Sequence, residues 1–462
     1  MLFNSLAFLF GFLPIVYFVF WRMSTLKQRH VWLAVTGYVF YSFWNYKFCA
    51  LMFASTAISY LAGLGLLRWS DPRTRRLCLI VPVAIDLTLL GIFKYYNFFI
   101  DGVSDAFTLM GYSIPLLRLD VVLPVGISFY TFHTITYVVD SYRGVIVPTR
   151  SLWEFAAYVS LFPQLVAGPI VRFRQIEDDL NHIDRADRLA DANIGWSFFV
   201  IGLAKKVLIA DTIAVIINPA LAQYHELSTL SAWMCAIGYA YQLYFDFSGY
   251  SDMAVGLGYL FGLRLPQNFN SPYKAVDIID FWRRWHISLS TFLRDYLYIP
   301  LGGSRGSNLR TYRNLMITMV LGGLWHGAGW TFLIWGIYQG TLLSINRMFA
   351  GSLERVPAAM RRTVTFAIVV IGFVIFRAES MTMASALLAR MFWWHHGFDI
   401  VGGEVLACML VLAGAIAHFA PNTFEMQYDW PPRRVVGAMA LTVVCMFVMY
   451  GSQPAPFLYF QF

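Results

Sequence analysis

The sequence predicts an all-α, polytopic integral membrane protein, and its composition and its long apolar runs are the observations that predict this class. Of the 462 residues, 58% are apolar and 13% are charged, whereas soluble proteins carry about 25% charged residues. The mean hydropathy of +0.59 agrees with this composition. Soluble, disordered and fibrous classes are therefore excluded.

The apolar runs are long and unbroken, as in Leu2–Trp21, Val31–Trp44 and Val405–Ala420. A helix crosses the hydrocarbon core with about 20 residues, so the chain has room for roughly ten to twelve crossings. A membrane β-barrel would need strands of about ten residues with alternating polarity, which these runs lack. Helices are therefore the elements that satisfy the backbone hydrogen bonds with this pattern.

The charged residues predict how the chain is oriented. The net charge is +8, and the basic residues lie in short loops between apolar runs, which is typical of the positive-inside bias rather than of nucleic-acid binding. The five cysteines lie in apolar segments without paired spacing, so neither a disulfide framework nor a metal site is predicted. These cysteines are Cys49, Cys78, Cys235, Cys408 and Cys445.

In the N-terminal half, Leu2–Trp21 is predicted to be a retained first helix, because it lacks a basic n-region and a cleavage site. The basic loop after it is expected in the cytoplasm, which puts the N-terminus outside. The acidic segment Asp101–Asp120 is expected outside, and Arg172–Asp191, charged with both signs, is predicted to be a solvated cytoplasmic stretch. The basic residues that mark the cytoplasmic loops are Arg22, Lys27, Arg29, Arg68, Arg73, Arg75, Arg76, Arg143 and Arg150.

In the C-terminal half, the largest basic block is Arg264–Arg313, which is expected on the cytoplasmic side. The next apolar stretch, Leu315–Ile345, is interrupted by glycines and is predicted to form two short, tilted or re-entrant segments that meet inside the membrane. Gly451–Phe462 is expected outside. Without repeats or a hydrophilic domain, residues 1–462 are predicted to form one membrane domain, with the catalytic region at about residues 244–345.

Polar residues concentrate between Asp246 and His326. Within this zone, Trp282, Trp285, His286, Leu289 and Leu293 fall at i, i+3, i+4 spacing, which predicts one amphipathic helix at the cytoplasmic interface. His286 would then point toward the apolar side of that helix, where an ionisable group needs a partner.

His326 is the strongest single candidate, because it follows Leu321–Trp325 and lies among four glycines within eight residues of an apolar span. Glycines let backbones approach closely and open space for a ligand. An ionisable residue in a membrane segment indicates function, although a neutral histidine that is hydrogen-bonded between helices would show the same pattern. The residues alone thus leave two classes open, a membrane enzyme with a histidine base and a transporter with a protonatable histidine.

A second loop admits two interpretations. Gly302–Ser307 has backbone N–H groups and Arg305 that could cradle a phosphate, but the pattern favours a plain flexible loop. Sequence motifs of P-loop, nucleophile-elbow, zincin and dithiol sites are missing from the chain.

Several runs together resemble the bacterial branch of the membrane-bound O-acyltransferase family, in its polysaccharide O-acetylation group. They follow one another in order over nearly the whole chain, and their combination is highly specific. The runs are Pro163–Ile170, Tyr244–Asp252, Pro266–Tyr273, Trp282–Ser290, Asp295–Gly303, Gly322–Gly329 and Phe457–Phe462.

The resemblance implies a helical ring around a thin, water-filled funnel with a small pore near the membrane midplane. It implies that His326 is the catalytic histidine in that pore and that His286 is a second essential histidine toward the cytoplasm. The donor it implies is acetyl-CoA as a cytoplasmic substrate, with no bound cofactor. The acetyl group would pass to an extracytoplasmic, esterase-like acetyltransferase partner that modifies an exported polysaccharide at a bacterial inner membrane.

Physical chemistry is consistent with these roles. Burial keeps an imidazole neutral, so that it can accept a proton from an attacking hydroxyl. Anionic CoA phosphates would favour the basic block, although the positive-inside bias explains the same arginines equally well. The further substrate-binding candidates are the tunnel-shaping Trp325 and Trp330, then Trp285 and Asn270, and for CoA Arg283, Arg284 and Arg305.

The expected acceptor is alginate or cellulose. Peptidoglycan O-acetylation and D-alanyl transfer to teichoic acid are alternatives with the same mechanism. A proton-coupled transporter with His326 as relay is the alternative from a different class.

Overall fold

The computed structural model describes residues 1–112, 116–120, 122–165, 168–428, 431–451 and 458, and these residues are helical with connecting loops. An isolated bridge between Leu227 and Phe398 is the one β-pairing within them. The predicted all-α class is thereby confirmed, whereas the number of crossings and the ring stay predictions.

The helices are numbered here in chain order. They are α1 (Leu13–Arg22), α2 (Leu26–Asn45), α3 (Cys49–Arg68), α4 (Pro72–Leu90), α5 (Tyr96–Leu109), α6 (Ile127–Tyr142), α7 (Leu152–Val159), α8 (Phe162–Leu165), α9 (Phe173–Asn181), α10 (Arg188–Ala204), α11 (Asp211–Ala222), α12 (Thr229–Leu260), α13 (Ile278–Arg284), α14 (Ile287–Leu293), α15 (Asn308–His326), α16 (Trp330–Met348), α17 (Ala350–Leu353), α18 (Ala358–Arg377), α19 (Met381–Phe392), α20 (Gly403–Phe419) and α21 (Pro432–Gly451). Wider π-helical turns adjoin some of them, at Ala7–Phe12, Gly91–Tyr95, Lys205–Ala210 and Arg294–Tyr298.

Four helical stretches are long and apolar enough to cross a membrane by length and composition. One of them includes α2, which contains the predicted run Val31–Trp44; most of the run Val405–Ala420 lies in α20, a shorter apolar helix. The stretches are Leu26–Arg68, Pro72–Leu109, Ala358–Arg377 and Pro432–Gly451.

The chain divides into two compact units, Met1–Gly195 with Ala254–Pro266, and Trp196–Met253 with Gln267–Phe462. In the first unit, a buried carboxylate joins three helices. Asp86 on α4 accepts hydrogen bonds from Ser55 on α3 and Thr134 on α6, each at 2.7 Å. These bonds satisfy the carboxylate where water is excluded.

The prediction that Arg172–Asp191 is a solvated stretch is wrong in part. Arg172 and Asp191 are each 5% exposed, and Asp191 accepts a bond from Arg264 at 3.4 Å. Between them, apolar residues at helical spacing give α9 a stripe that packs inward. The buried residues of that stripe are Phe173, Ile176 and Leu180.

The outer segments are described in part. The first nine residues of the predicted outer loop Asp101–Asp120 belong to α5, and its residues 113–115 lie outside the described residues. Of Gly451–Phe462, Gly451 and Leu458 are described, and the remainder of that predicted outer segment lies outside.

The second unit holds all the residues that the sequence nominates for chemistry. Its helices α15 and α16 pack as an antiparallel pair on either side of a break at residues 327–329. Each helix has 19 residues, which is about 28 Å at 1.5 Å per residue. The predicted break is therefore confirmed, but the two segments are longer than the short ones expected.

Candidate active site

Glycines let the helices that carry His326 pack in close contact. A Cβ on Gly323 of α15 would lie 2.3 Å from the carbonyl oxygen of Phe332, and one on Gly336 of α16 would lie 2.6 Å from that of Met319. Real Cβ atoms do not approach that closely, so these positions require glycine. His326 is the last residue of α15 and is thereby held at a rigid contact between two backbones.

Gly327 explains why the chain breaks directly after His326. Its backbone is extended, with φ −163°, and a Cβ there would lie 2.1 Å from the ring of Phe332. The ring of the following helix thus occupies the space that a side chain would need. Gly323 and Gly327, two of the four glycines that the sequence singles out, thus permit close packing at this corner.

Aromatic rings surround the His326 imidazole, which is 6% exposed. Its ring centroid lies 4.9 Å from that of Trp325, 5.3 Å from Trp335 and 5.1 Å from Phe376, each in an edge-to-face arrangement. Three aromatic side chains therefore line this buried imidazole. An imidazole in such a site can exchange a proton with a group that reaches it, so the arrangement is chemically compatible with general-base catalysis.

His286 lies at a sharp turn between α13 and α14, with a left-handed backbone of φ 43° and ψ 55°. The single amphipathic helix predicted over Trp282–Leu293 is therefore wrong. The helix breaks because the Ile287 N–H donates to the carbonyl of Asn268 at 2.9 Å, and the Arg284 carbonyl accepts from the Asn270 N–H at 2.9 Å. Those groups would otherwise bond within one helix.

The His286 side chain is fully buried. Its ring packs edge-to-face on Phe247, with centroids 4.7 Å apart, and Nδ1 lies 3.1 Å from Oδ1 of Asn268. The segment carrying it lies outside the four stretches that are long and apolar enough to cross a membrane, and burial lowers the pKa of this imidazole to about 3. His286 is therefore neutral at physiological pH.

Trp325 contacts both histidines. Its centroid lies 6.1 Å from that of His286 and 4.9 Å from that of His326. The structure thus brings both predicted histidines to one indole, although they are 40 residues apart in sequence.

The other nominated aromatic residues lie elsewhere. Trp330 begins α16 and is 56% exposed, while Trp335, one and a half turns later, contacts His326. Trp285 is buried among Phe269, Phe281 and Phe373. Sequence reasoning missed Trp335 and Phe376, because their contacts cross between helices and leave no local signal.

The nominated polar residues divide into paired and exposed ones. Arg284 forms an ion pair with Asp280 at 2.8 Å and donates to the Asn270 carbonyl at 3.3 Å. Asn270 accepts a bond from Asn422 at 3.0 Å. Arg283 and Arg305 are exposed, and Arg305 lies in a loop where Gly302, Gly303 and Gly306 all have positive φ.

Buried and half-buried charges form a second cluster that the sequence does not reveal. Lys206 lies 2.6 Å from Asp211 and 2.7 Å from Asp246, and Lys205 lies 2.5 Å from Asp252. Asp246 also accepts the backbone N–H of Leu458 at 3.0 Å. Because the ion-pair partners are up to 47 residues apart, only the fold could bring them together, and we interpret these pairs as structural contacts.

Comparison with known proteins gives a consistent result. The profile of the family described as MBOAT, membrane-bound O-acyltransferase family, matches residues 119–388. The chain is 46% identical to a probable alginate O-acetylase of Pseudomonas aeruginosa over 85% of this chain and 75% of that protein. It is 40% identical to one of Pseudomonas putida over the full length of both. It is 38% identical to a peptidoglycan O-acetyltransferase of Helicobacter pylori, over 85% of this chain and 80% of that protein.

Proposed function

The chain belongs to the membrane-bound O-acyltransferase family, and we propose on that premise that it moves acetyl groups from cytoplasmic acetyl-CoA across a bacterial inner membrane. It is an O-acyltransferase with several apolar helices that could span a bilayer. The acetyl group serves the O-acetylation of an exported polysaccharide. Alginate is the proposed acceptor, because relatives that align with most or all of this chain are named probable alginate O-acetylases.

The observation that carries the proposal is His326, buried against three aromatic rings at the break between α15 and α16. In the proposed step, the imidazole accepts the proton of an acceptor hydroxyl while that oxygen forms a bond to the thioester carbonyl carbon. The carbon–sulfur bond then breaks, and CoA leaves as the thiol with the proton that the imidazole held. The walls exclude water, which would otherwise hydrolyse the thioester.

His286 is proposed as the second essential residue, in contact with the same indole. The CoA phosphates are proposed to meet the exposed Arg283 and Arg305 at the cytoplasmic face. Arg284 is a weaker candidate than the sequence suggests, because its guanidinium is already bonded to Asp280.

The acetyl group is proposed to leave on the extracytoplasmic side. There an esterase-like acetyltransferase partner would receive it and modify the polymer. This direction follows from the predicted topology, in which the basic block Arg264–Arg313 faces the cytoplasm.

A donor competition in vesicles tests the proposed function. The purified chain is reconstituted, and label transfer is followed from acetyl-CoA and, separately, from a D-alanyl carrier protein. The proposal expects acetyl-CoA cleavage with no carrier turnover. Carrier turnover alone would support D-alanyl transfer, and proton-driven flux without thioester cleavage would support a transporter instead.

A second experiment identifies the acceptor. Membranes with the chain and its partner receive labelled acetyl-CoA together with alginate, cellulose or peptidoglycan. Label is expected in alginate. Label in peptidoglycan alone would favour the activity named for the Helicobacter pylori relative and would overturn the alginate assignment.

A further inference from the structure

Asn268 connects His286 to the elements around it. Its Oδ1 accepts from the Ser288 backbone N–H at 3.2 Å and from the Ser288 hydroxyl at 2.9 Å, and it lies 3.1 Å from Nδ1 of His286. Its Nδ2 donates to the hydroxyl of Ser251 on α12 at 3.2 Å. Asn268 is 1% exposed, so these bonds form in a dry interior.

These contacts fix the orientation of the amide. A backbone N–H can only donate, so the Asn268 atom that faces the Ser288 N–H is the oxygen and not the nitrogen. The same oxygen faces Nδ1 of His286. Since that oxygen can only accept, Nδ1 must carry a proton for the contact to be a hydrogen bond.

The neutral imidazole has one ring proton. With that proton on Nδ1, Nε2 holds the lone pair. A His286 ring in the opposite tautomer would set two lone pairs against each other at 3.1 Å, which is repulsive in a dry interior. The tautomer is thus determined by a residue 18 positions earlier in the chain.

The backbone of Asn268 stabilises the same turn. Its carbonyl accepts the Ile287 N–H at 2.9 Å, directly after the left-handed His286. A non-glycine residue in that conformation is strained, and hydrogen bonds on both sides of the turn oppose the strain. Asn268 thus holds both the backbone and the ring of His286.

We propose that Asn268 is a positioning residue that keeps His286 in the Nδ1–H tautomer, so that Nε2 accepts a hydrogen bond from an O–H or N–H of the substrate. The role in turnover rests on the proposed acyl transfer, whereas the tautomer itself does not. His286 would then act as an acceptor and not as a proton donor at that nitrogen.

The test compares two substitutions of near-equal size. Asn268→Asp keeps an acceptor oxygen opposite Nδ1, whereas Asn268→Leu removes it. Asn422→Asp is the matched control, because Asn422 is also a buried amide but bonds to Asn270 and Ser271. The chain is labelled with ¹⁵N-histidine, and the His286 signals are identified by their loss in His286→Gln.

The expected result is an unprotonated Nε2 in the unsubstituted chain, in the Asn268→Asp variant and in the control. In the Asn268→Leu variant, a population protonated at Nε2 appears. Acetyl transfer should follow the same order, with kcat in the Leu variant lower by about tenfold or more and KM for acetyl-CoA little changed. Partial rescue by Asp separates positioning from a purely structural role.

An unprotonated Nδ1 in the unsubstituted chain would overturn the inference, as would a Leu variant with an unchanged tautomer. If the Leu variant fails to accumulate in membranes, the tautomer of the unsubstituted chain still decides the question. Absence of acetyl transfer with the expected tautomer would refute the proposed function and leave the assignment of the ring proton intact.

Discussion

Replacing Gly336 by alanine should separate the two helices that position His326. The new Cβ would lie 2.6 Å from the Met319 carbonyl oxygen and 2.8 Å from the Val320 Cα. Ordinary contact begins near 3.4 Å, so α15 and α16 would have to move apart by about 0.8 Å. Both close contacts are with backbone, which cannot rotate away as a side chain could.

Overpacking of this kind costs about 1–3 kcal/mol of stability, and a displacement near 1 Å in an active site can cost about 10²-fold in rate. We therefore expect Gly336→Ala to lower the midpoint of thermal unfolding in detergent and to reduce acetyl transfer by about 10- to 100-fold. His326 lies two helical turns beyond the contact, so the shift should reach it.

Gly437→Ala is the matched control, since Gly437 also lies within a helix and has open space where the Cβ would go. The gain in helix propensity is the same at both positions, about 1 kcal/mol. If the two variants unfold at the same temperature and transfer acetyl at the same rate, the close packing of α15 on α16 is not what positions His326.

Three further predictions concern charge. Lys206→Met should destabilise the fold by about 3–5 kcal/mol, because it removes the cation that pairs with the buried Asp246 and the half-buried Asp211. A second substitution, Asp246→Leu, should restore part of the loss in thermal unfolding. Arg305→Ala should raise KM for acetyl-CoA severalfold without changing the midpoint of thermal unfolding. Arg284→Ala should instead lower that midpoint, because its ion pair with Asp280 is lost. Equal effects of the two variants on KM would contradict the proposal that Arg305, rather than Arg284, binds the CoA phosphates. Burial lowers the pKa of His286 to about 3, whereas the imidazole of the unfolded chain has its ordinary pKa of about 6.5. Between these values only the unfolded chain binds the proton, so the free energy of unfolding should fall by about 1.4 kcal/mol for each pH unit as pH decreases. Unfolding measured at a series of pH values should give a smaller slope in His286→Gln.

Composition and glycine spacing predict much of the second unit. Few charges in long apolar runs predict membrane helices regardless of how those helices pack. The break at Gly327 is also predictable, because glycine within an apolar run marks a close approach or an interruption. His326 is then conspicuous as an ionisable residue beside that break.

The turn at His286 could not be predicted in the same way. In the sequence, the apolar residues from Trp282 to Leu293 keep helical spacing although the chain turns at His286. The spacing gives no sign of the turn, because the apolar residues on both sides of it, such as Trp285 and Leu289, are buried. The turn forms because the carbonyl of Asn268, which is distant in sequence, accepts the hydrogen bond of the Ile287 N–H. Local periodicity carries no signal of such a competitor.

The remaining predictions were limited because residues of the same type differ in what their side chains contact. Arg284 and Arg305 are equivalent members of a basic block in the sequence, but the structure pairs one with Asp280 and leaves the other exposed. Trp330 and Trp335 are likewise two tryptophans of one apolar stretch, and only the packing of α16 determines that Trp335 contacts His326.

Acetyl transfer by a His326→Gln variant tests the central claim most directly. Glutamine preserves much of the side-chain volume but cannot act as a base at physiological pH, so the aromatic walls should remain in place. With the purified chain in vesicles and labelled acetyl-CoA, we predict transfer by the unsubstituted chain and none above background by the variant, at equal unfolding midpoints. Transfer by the variant at the unsubstituted rate would contradict the assignment of His326 as the catalytic base.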